Sequence, residues 1–448
     1  MMRDPGELAG SRVMVLGLGR SGEAAARLLL QHGARVAGWD DAGPRRSGAG
    51  AQRLARRGMT VPRDPARWRG DFAVKSPGIP AGNDAVRQLE RRGVPVYDEL
   101  DFASRFVPGV MVAVTGTNGK STTTALVGLA LEKAGLRVFV GGNLAPGRPL
   151  SAGLLGPGRD CYVVEVSSFQ LERARWLAPD VAVLLNISPD HLDRHRDIGD
   201  YAECKYRLLD RQPETATAVL NADDPLVMKA CRRGRAGRLF FSLRRRVDGA
   251  YRAGGAVRFR GETVMATSEL RLPGRHNVAN VLAMTCAARA LGAPNRAIRA
   301  AARGFAGLPH RLERVPTRDG RVWVNSSMTT NPGAGVAALE SFGRKVVLIA
   351  GGKSKGLPVG EFLAAVRRRA KWAILTGENG PELAESLRAA GFERCEVQAT
   401  LLGAVSAARS RARRGDVVLF APAFASFDQF RDFQERGERF RREVMSAA

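Results

Sequence analysis

Val112-Ala113-Val114-Thr115-Gly116-Thr117-Asn118-Gly119-Lys120-Ser121-Thr122-Thr123-Thr124 is the stretch whose reading decides the fold. An apolar strand runs into two glycines, a lysine and a hydroxyl, then into a helix-like Thr/Ala/Leu run. Backbone N–H groups at a helix N-terminus point outward and favour an anion. The full Walker A form places a glycine six residues before the lysine, and here that position is Val114. The shorter loop keeps the same physics. Gly116, Thr117, Asn118 and Gly119 would cradle a polyphosphate, Lys120 would reach its β/γ-phosphates, and Ser121, with Thr122 behind it, would face a Mg²⁺. A glycine turn with a capping serine is the alternative, and the strand–turn–helix context argues against it.

Outward from this loop, short apolar runs alternate with amphipathic stretches, the pattern of βα units and parallel sheets. Strands are expected at Val13–Leu16, Arg35–Trp39, Tyr162–Val166, Val181–Ile187, Thr217–Leu220, Val322–Val324, Val346–Ala350, Ala373–Thr376 and Val417–Phe420, with a helix from about Gly22 to His32. The connections at Phe106–Gly109 and Gly307–Pro309 divide the chain into three α/β domains. These are a Rossmann-like domain over 1–106, a central P-loop mononucleotide-binding domain over 107–308 and a Rossmann-like domain over 309–448. A chain of 448 residues is too long for one ordinary core, which agrees.

The net charge of +26 raises nucleic-acid binding as a possibility. The basic residues come instead in short pieces along the whole chain, such as Arg244-Arg245-Arg246 and Arg367-Arg368-Arg369, without interleaved aromatics. We therefore expect no nucleic-acid partner and a general attraction for anionic substrates. No apolar run approaches the ~20 residues of a membrane-spanning helix, so no membrane insertion is expected. Met1–Arg12 has no apolar core of a signal peptide. Five widely spaced cysteines without a CxxC fit a reducing cytoplasm.

Gly17-x-Gly19-x-x-Gly22 follows the first strand and opens a helix, and Asp40 ends the next strand at the spacing of a ribose contact. Alone this predicts a nicotinamide-dependent dehydrogenase, but no hydride-transfer constellation follows it. Further on, Glu165 closes a strand, and His191 begins a helix-like stretch after another, where α/β active sites collect. Together with the loop they make a Mg²⁺ site plausible, although either residue alone reads equally well as a helix start or cap. By spacing alone, Lys205 is a solvated lysine on an amphipathic helix.

The loop, together with Val164-Glu165-Val166-Ser167-Ser168-Phe169-Gln170-Leu171, Asn186-Ile187-Ser188-Pro189-Asp190-His191-Leu192-Asp193, Tyr201–Lys205, Leu272–Asn277 and His310–Glu313, closely resembles the Mur ligase family of ATP-dependent amide-forming enzymes. The likeness covers nearly the whole chain. It is greatest to members that add glutamate to UDP-N-acetylmuramoyl-L-alanine in peptidoglycan synthesis. The resemblance implies ATP, two Mg²⁺ and a monomer. Ser121 and Glu165 would hold the Mg²⁺ that bridges the ATP phosphates, and His191 would hold a second. Lys205 would carry a carbamate, an anion able to support both cations. Asn277 would contact adenine and Arg311 the phosphates. The UDP part would lie on Gly19, Arg20, Ser21, Asp40, Asp41, Ser76 and Asn143. Glutamate would meet Thr330, Lys355, Ser426, the backbone of Phe427, and Phe433. Lys120, Glu165, His191, Lys205 and Lys355 are the catalytic candidates.

The family run Asn-Asp-Ser-Lys-Ala-Thr-Asn reads here Asn325-Ser326-Ser327-Met328-Thr329-Thr330-Asn331. The Asp expected near the ATP ribose is Ser326 and the expected Lys is Met328. This leaves D-glutamate, L-glutamate and another amino acid open as the incoming amine. A basic nucleic-acid-dependent P-loop NTPase is the reading from a different class.

Overall fold

The computed structural model describes residues 8–40, 48–62, 64–80, 82–144, 147–190, 194–272, 274–354 and 356–446. Of the expected site residues, Asp41, His191 and Lys355 lie outside the described residues. The chain divides into two compact units, 1–305 and 306–448.

The first unit holds two sheets. Strands β1 (Arg12–Leu16), β2 (Arg35–Trp39), β3 (Phe72–Lys75) and β4 (Val96–Asp98) form a parallel sheet in the order β2-β1-β3-β4. The larger sheet comprises β5 (Val110–Thr115), β6 (Val138–Gly142), β7 (Cys161–Glu165), β8 (Val181–Leu184), β9 (Thr217–Asn221), β10 (Gly237–Ser242), β11 (Gly249–Ala253), β12 (Ala256–Phe259) and β13 (Glu262–Ala266). Its order is β13-β12-β11-β10-β9-β8-β5-β7-β6. The strands from β6 to β11 run parallel, and β12 and β13 fold back antiparallel at one edge. A bulge there leaves Val264 out of the β12–β13 register, and the Arg299 guanidinium takes its carbonyl through Nε (3.1 Å) and Nη2 (2.8 Å).

Neighbours explain which runs became strands. β5, β7 and β8 are buried almost throughout, which is why they read as unbroken apolar runs rather than alternating ones. The strand expected over Val181–Ile187 stops at Leu184, because Asn186 turns out of the ladder to bond the loop after β5. The second unit carries β14 (Glu313–Val315), β15 (Val322–Asn325), β16 (Val346–Ala350), β17 (Ala370–Thr376), β18 (Cys395–Gln398) and β19 (Val417–Phe420). Their order is β14-β15-β19-β16-β17-β18, parallel apart from β14. The sequence reading of an α/β protein built on parallel sheets matches this architecture. The antiparallel edges were not part of it.

Among the described residues no helix is long and apolar enough to cross a membrane. All five cysteines are free thiols, four of them buried.

At the ends of β3 and β4, Lys75 and Asp98 stand opposite in register and form an ion pair of 2.6 Å, both at most 2% exposed. Lys75 also donates to the Ile79 carbonyl, while Asp98 Oδ2 is buried without a partner. Lys75→Met is expected to cost about 3–5 kcal/mol by leaving a buried carboxylate alone. Lys75→Met combined with Asp98→Leu should cost less. Thermal unfolding midpoints of the two variants check this, and equal losses would show that the orphaned charge is not the cause.

Candidate functional site

β5 is flanked by β7 on one side and β8 on the other, so successive connections leave it in opposite directions. Such a switch point opens a crevice at the carboxyl ends of the strands, where ligands of open α/β sheets bind. The loop Gly116–Gly119 occupies that point, and the helix Lys120–Lys133 starts from it. Gly119 has φ +83°, and a Cβ there would meet Asn280 Oδ1 at 2.5 Å. Both conformation and space therefore require glycine.

The loop is held by a set of polar partners. Asn186 accepts from the Asn118 N–H (2.8 Å) and donates to the Asn118 carbonyl (2.9 Å). The Thr117 hydroxyl accepts from the Ser188 N–H at 3.0 Å. Asn280 Oδ1 accepts from Thr123 Oγ1 at 3.3 Å, and its amide reaches Asn277 Oδ1 at 3.5 Å. Asn277 thus joins the loop through Asn280, from the first turn of the helix Arg275–Ala290. Lys120 folds back on the loop and donates to the Thr117 carbonyl at 2.8 Å. Ser121 is 3% exposed at the start of the helix.

Glu165 pairs in register with Val114 and Gly142, which places its carboxylate beside the loop. Asn143 Nδ2 donates to Oε1 at 2.8 Å, whereas Oε2 is buried without a hydrogen-bond partner. Lys205 is not solvated, contrary to its reading by spacing alone. It is 1% exposed, donates to the Gly116 carbonyl at 3.0 Å, and lies 4.4 Å from the centre of the Tyr201 ring. Burial, then the neighbouring Lys120 charge, pulls its amine down to about 7. The helix Ile198–Asp210 turns the same face to the core with Tyr201, Ala202 and Leu208.

The glycine fingerprint forms a second site. A cleft of about 440 Å³ is lined by Gly19, Arg20, Ser21, Asp40 and Ser76 from the first sheet, and by Asn143 from the larger one. Gly17 has φ +80°, and a Cβ on Gly22 would meet the Gly17 carbonyl oxygen at 1.7 Å. Asp40 Oδ2 accepts from the Leu18 N–H at 2.7 Å, and Ser76 Oγ donates to the Gly17 carbonyl at 2.9 Å. Six of the seven residues expected for the UDP part are therefore together, and Asn143 touches both sites. A larger cleft of about 660 Å³ contains none of the expected residues, and its Arg173 is paired to Glu90 within its wall.

In the second unit, the loops after β15, β16 and β19 meet at their carboxyl ends. Ala423 N–H donates to the Thr329 carbonyl (3.0 Å), next to Thr330, and Lys353 and Ala425 exchange backbone hydrogen bonds. Ser426 is 2% exposed and Phe427 67% exposed. Phe433 opens the helix Phe433–Ser446. Met328 Sδ accepts from Arg311 Nε at 3.4 Å, so a lysine at that position would set two cations together. Ser326 Oγ is bonded to Thr329 Oγ1 at 2.9 Å.

Sequence reasoning missed Asn186 and Asn280, the residues that fix the loop. It also missed Glu99, which lines the fingerprint cleft, is 1% exposed and accepts from the Ser151 N–H at 2.8 Å. Burial raises the Glu99 carboxyl to about 7 against the opposing Ser151 hydrogen bonds. An acid raised in the fold is protonated there while ionised in the unfolded chain. Its contribution to stability is therefore complete below the ordinary glutamate range and is lost as pH rises through about 7. Glu99→Gln should flatten the fall of the melting temperature between about pH 4.5 and 7. An unchanged slope would assign the fall to other groups.

A family model described as the Mur ligase middle domain matches residues 114–288, and one described as the Mur ligase, glutamate ligase domain matches 310–424. The UDP-N-acetylmuramoylalanine--D-glutamate ligase of Pelotomaculum thermopropionicum is 43% identical, with 97% of each chain covered. The enzyme of the same name from Myxococcus xanthus is 41% identical, with 98% of each covered. Among solved structures, UDP-N-acetylmuramate-alanine ligase of Thermotoga maritima superposes with a TM-score of 0.62 at 20% identity, over 98% of this chain and 100% of that one. The MurF ligase of the same organism, solved with ADP, gives 0.58 at 21%, over 100% and 98%. The fold is thus that of these ligases, and the chain belongs to the Mur ligase family, beside the UDP-N-acetylmuramoylalanine--D-glutamate ligases that it matches along almost its whole length.

Proposed function

We propose that the chain is an ATP-dependent, ADP-forming ligase of the cytoplasm that joins D-glutamate to UDP-N-acetylmuramoyl-L-alanine in peptidoglycan precursor synthesis. The observation that carries this reading is the meeting of three groups at the carboxyl ends of β5 and β7: the glycine loop, the unpartnered Glu165 oxygen and the buried Lys205 amine. A carboxylate is a poor electrophile toward an amine. Transfer of the γ-phosphoryl of ATP to the alanyl carboxylate gives an acyl phosphate. The glutamate nitrogen attacks its carbonyl, phosphate leaves, and a proton is lost to give the amide.

Residues 1–106 would take the UDP part, 107–308 ATP, and 309–448 glutamate. Loop amides and Lys120 would hold the phosphates and Asn277 the adenine, and Arg311 keeps the role that the family resemblance implies. A divalent cation suits the donor set, since Glu165 Oε2 is buried without a partner and the Ser121 hydroxyl opens the neighbouring helix. Among the described residues no three His, Cys, Asp or Glu side chains cluster as a metal cage. This agrees with Mg²⁺, which binds through one or two carboxylates and substrate phosphates. Bound Mg²⁺ supplies charge neutralisation at the transferring phosphoryl group. His191 and Lys355, with Asp41 for the UDP part, keep the roles that the family resemblance implies.

The Lys205 carbamate rests on chemistry. A buried amine lowered to about 7 is in part uncharged near neutral pH; in that form it adds to the carbon of CO₂ and loses a proton, giving an anion in place of a neutral amine. Thr330, Ser426, the Phe427 backbone and Phe433 would receive glutamate. The Arg311–Met328 contact keeps one cation in place of two on this segment, which leaves L-glutamate as the second reading.

ADP release measured with ATP, Mg²⁺ and UDP-N-acetylmuramoyl-L-alanine should depend on D-glutamate and exceed that with L-glutamate or other amino acids. Stimulation by DNA or RNA without any amino-acid dependence would overturn the proposal. Lys205→Ala should lower kcat by at least about a thousandfold, and the wild type should show a carbamate resonance after carbon-labelled bicarbonate that the variant lacks. Normal turnover by the variant would remove the carbamate.

A further inference from the structure

Arg436 lies in the first turn of the helix Phe433–Ser446 and is 3% exposed. Its guanidinium makes five hydrogen bonds. Nε donates to Ser327 Oγ (3.1 Å), Nη1 to the carbonyls of Phe424 (3.1 Å) and Ala425 (3.2 Å), and Nη2 to the carbonyls of Ser327 (3.0 Å) and Phe424 (3.1 Å). The Ala425 carbonyl also accepts from the Lys353 N–H at 2.9 Å. The Ser327 hydroxyl in turn donates to the Phe433 carbonyl at 2.8 Å. A Cβ on Gly352 would stand 3.2 Å from Nη1. One side chain thus ties the loops after β15 and β19 to the start of the last helix, and the loop after β16 joins them through the Ala425 carbonyl.

Among the described residues no carboxylate lies within ion-pair distance of Arg436; carbonyl dipoles and one hydroxyl meet its charge at close range, and Asp428 acts on it from further off. Burial pulls the guanidinium down to about 10, which still leaves it protonated at neutral pH. A buried cation held mainly by dipoles favours an anion nearby, because its field is weakly screened. The planar fork of Arg also fixes five contacts in one geometry, which an ammonium cannot copy.

We propose that Arg436 is a positioning residue for the incoming amino acid: it locks the loops after β15 and β19 beside Ser426 and Phe433 and adds positive potential there for a dicarboxylate. The proposal rests on the reading of this region as the glutamate site.

The test is steady-state kinetics of the full chain with Arg436→Met, Arg436→Lys and Ser327→Ala. Arg436→Met should raise the KM for glutamate at least about tenfold, since bonds to a charged group are lost. The KM values for ATP and UDP-N-acetylmuramoyl-L-alanine should stay within about twofold. Arg436→Lys, which keeps the charge, should recover part of the loss, and Ser327→Ala should raise the glutamate KM by about threefold. If Arg436→Met does not fold, the other two variants decide. A glutamate KM within about twofold of wild type in soluble Arg436→Lys and Ser327→Ala overturns the proposal, as do three KM values that rise together. Absence of glutamate-dependent turnover in the wild type would instead sink the proposed function, and the same assay reads it first.

Discussion

A polyphosphate can be held at the end of a strand only if backbone N–H groups there are kept from bonding within the protein and are kept still. The turn between β5 and its helix divides these demands between the loop, which is held still, and the first turn of the helix, whose N–H groups have no partner within the helix. Gly116 and Gly119 adopt φ of +151° and +83°, which open the loop. Asn186 and Thr117 then freeze it with bonds to neighbouring segments, which take the N–H groups of Thr117 and Asn118 and leave those of the first helical turn to face an anion. The parallel neighbours β7 and β8 supply the walls, and Glu165 arrives beside the loop because its strand ends in register with Val114. Moving that register by one residue would turn the carboxylate to the other face of the sheet.

The same logic is repeated in the first sheet with different chemistry. There the Gly17 turn is steadied by Ser76 on its carbonyl and by Asp40 on the following N–H. Asn143 links the two centres, since it lines the fingerprint cleft while its amide holds Glu165. A substrate seated on the first sheet is thereby in touch, through one side chain, with the carboxylate suited to the metal. Glu99 contributes in a similar way from below, as a buried carboxyl that bonds the start of the helix Leu150–Gly153.

Local pattern made most of this architecture legible. Strands flanked on both sides, such as β5 and β16, are continuous apolar runs: β16 was read to the residue, and β5 by its centre, Val112–Val114. The glycine loops were legible because their backbone demands leave few residue choices. The antiparallel strands β12 and β13 were missed because Arg258, Thr263 and Glu262 dilute any two-residue alternation at an exposed edge. Lys205 shows the limit most clearly. On its helix it looks like a surface lysine, and only the packing of Tyr201 and the Gly116 carbonyl, 89 positions away, makes it a buried amine. Asn280 and Asn186 are similarly ordinary in their own segments, and their partners lie 157 and 68 positions distant. Arg436 bonds a carbonyl 109 positions upstream, a relation that no local pattern encodes.

The Val264 bulge has a bearing on how the molecule lives among its copies. A strand at the rim of a nine-stranded sheet is a template onto which another chain can add a strand, the first step toward fibrils. Here the stray carbonyl is capped by Arg299, and Glu262 and Arg258 put charge along the rim. The fold thus carries its own safeguard against self-templated growth, built into the margin of the sheet where the strand order ends.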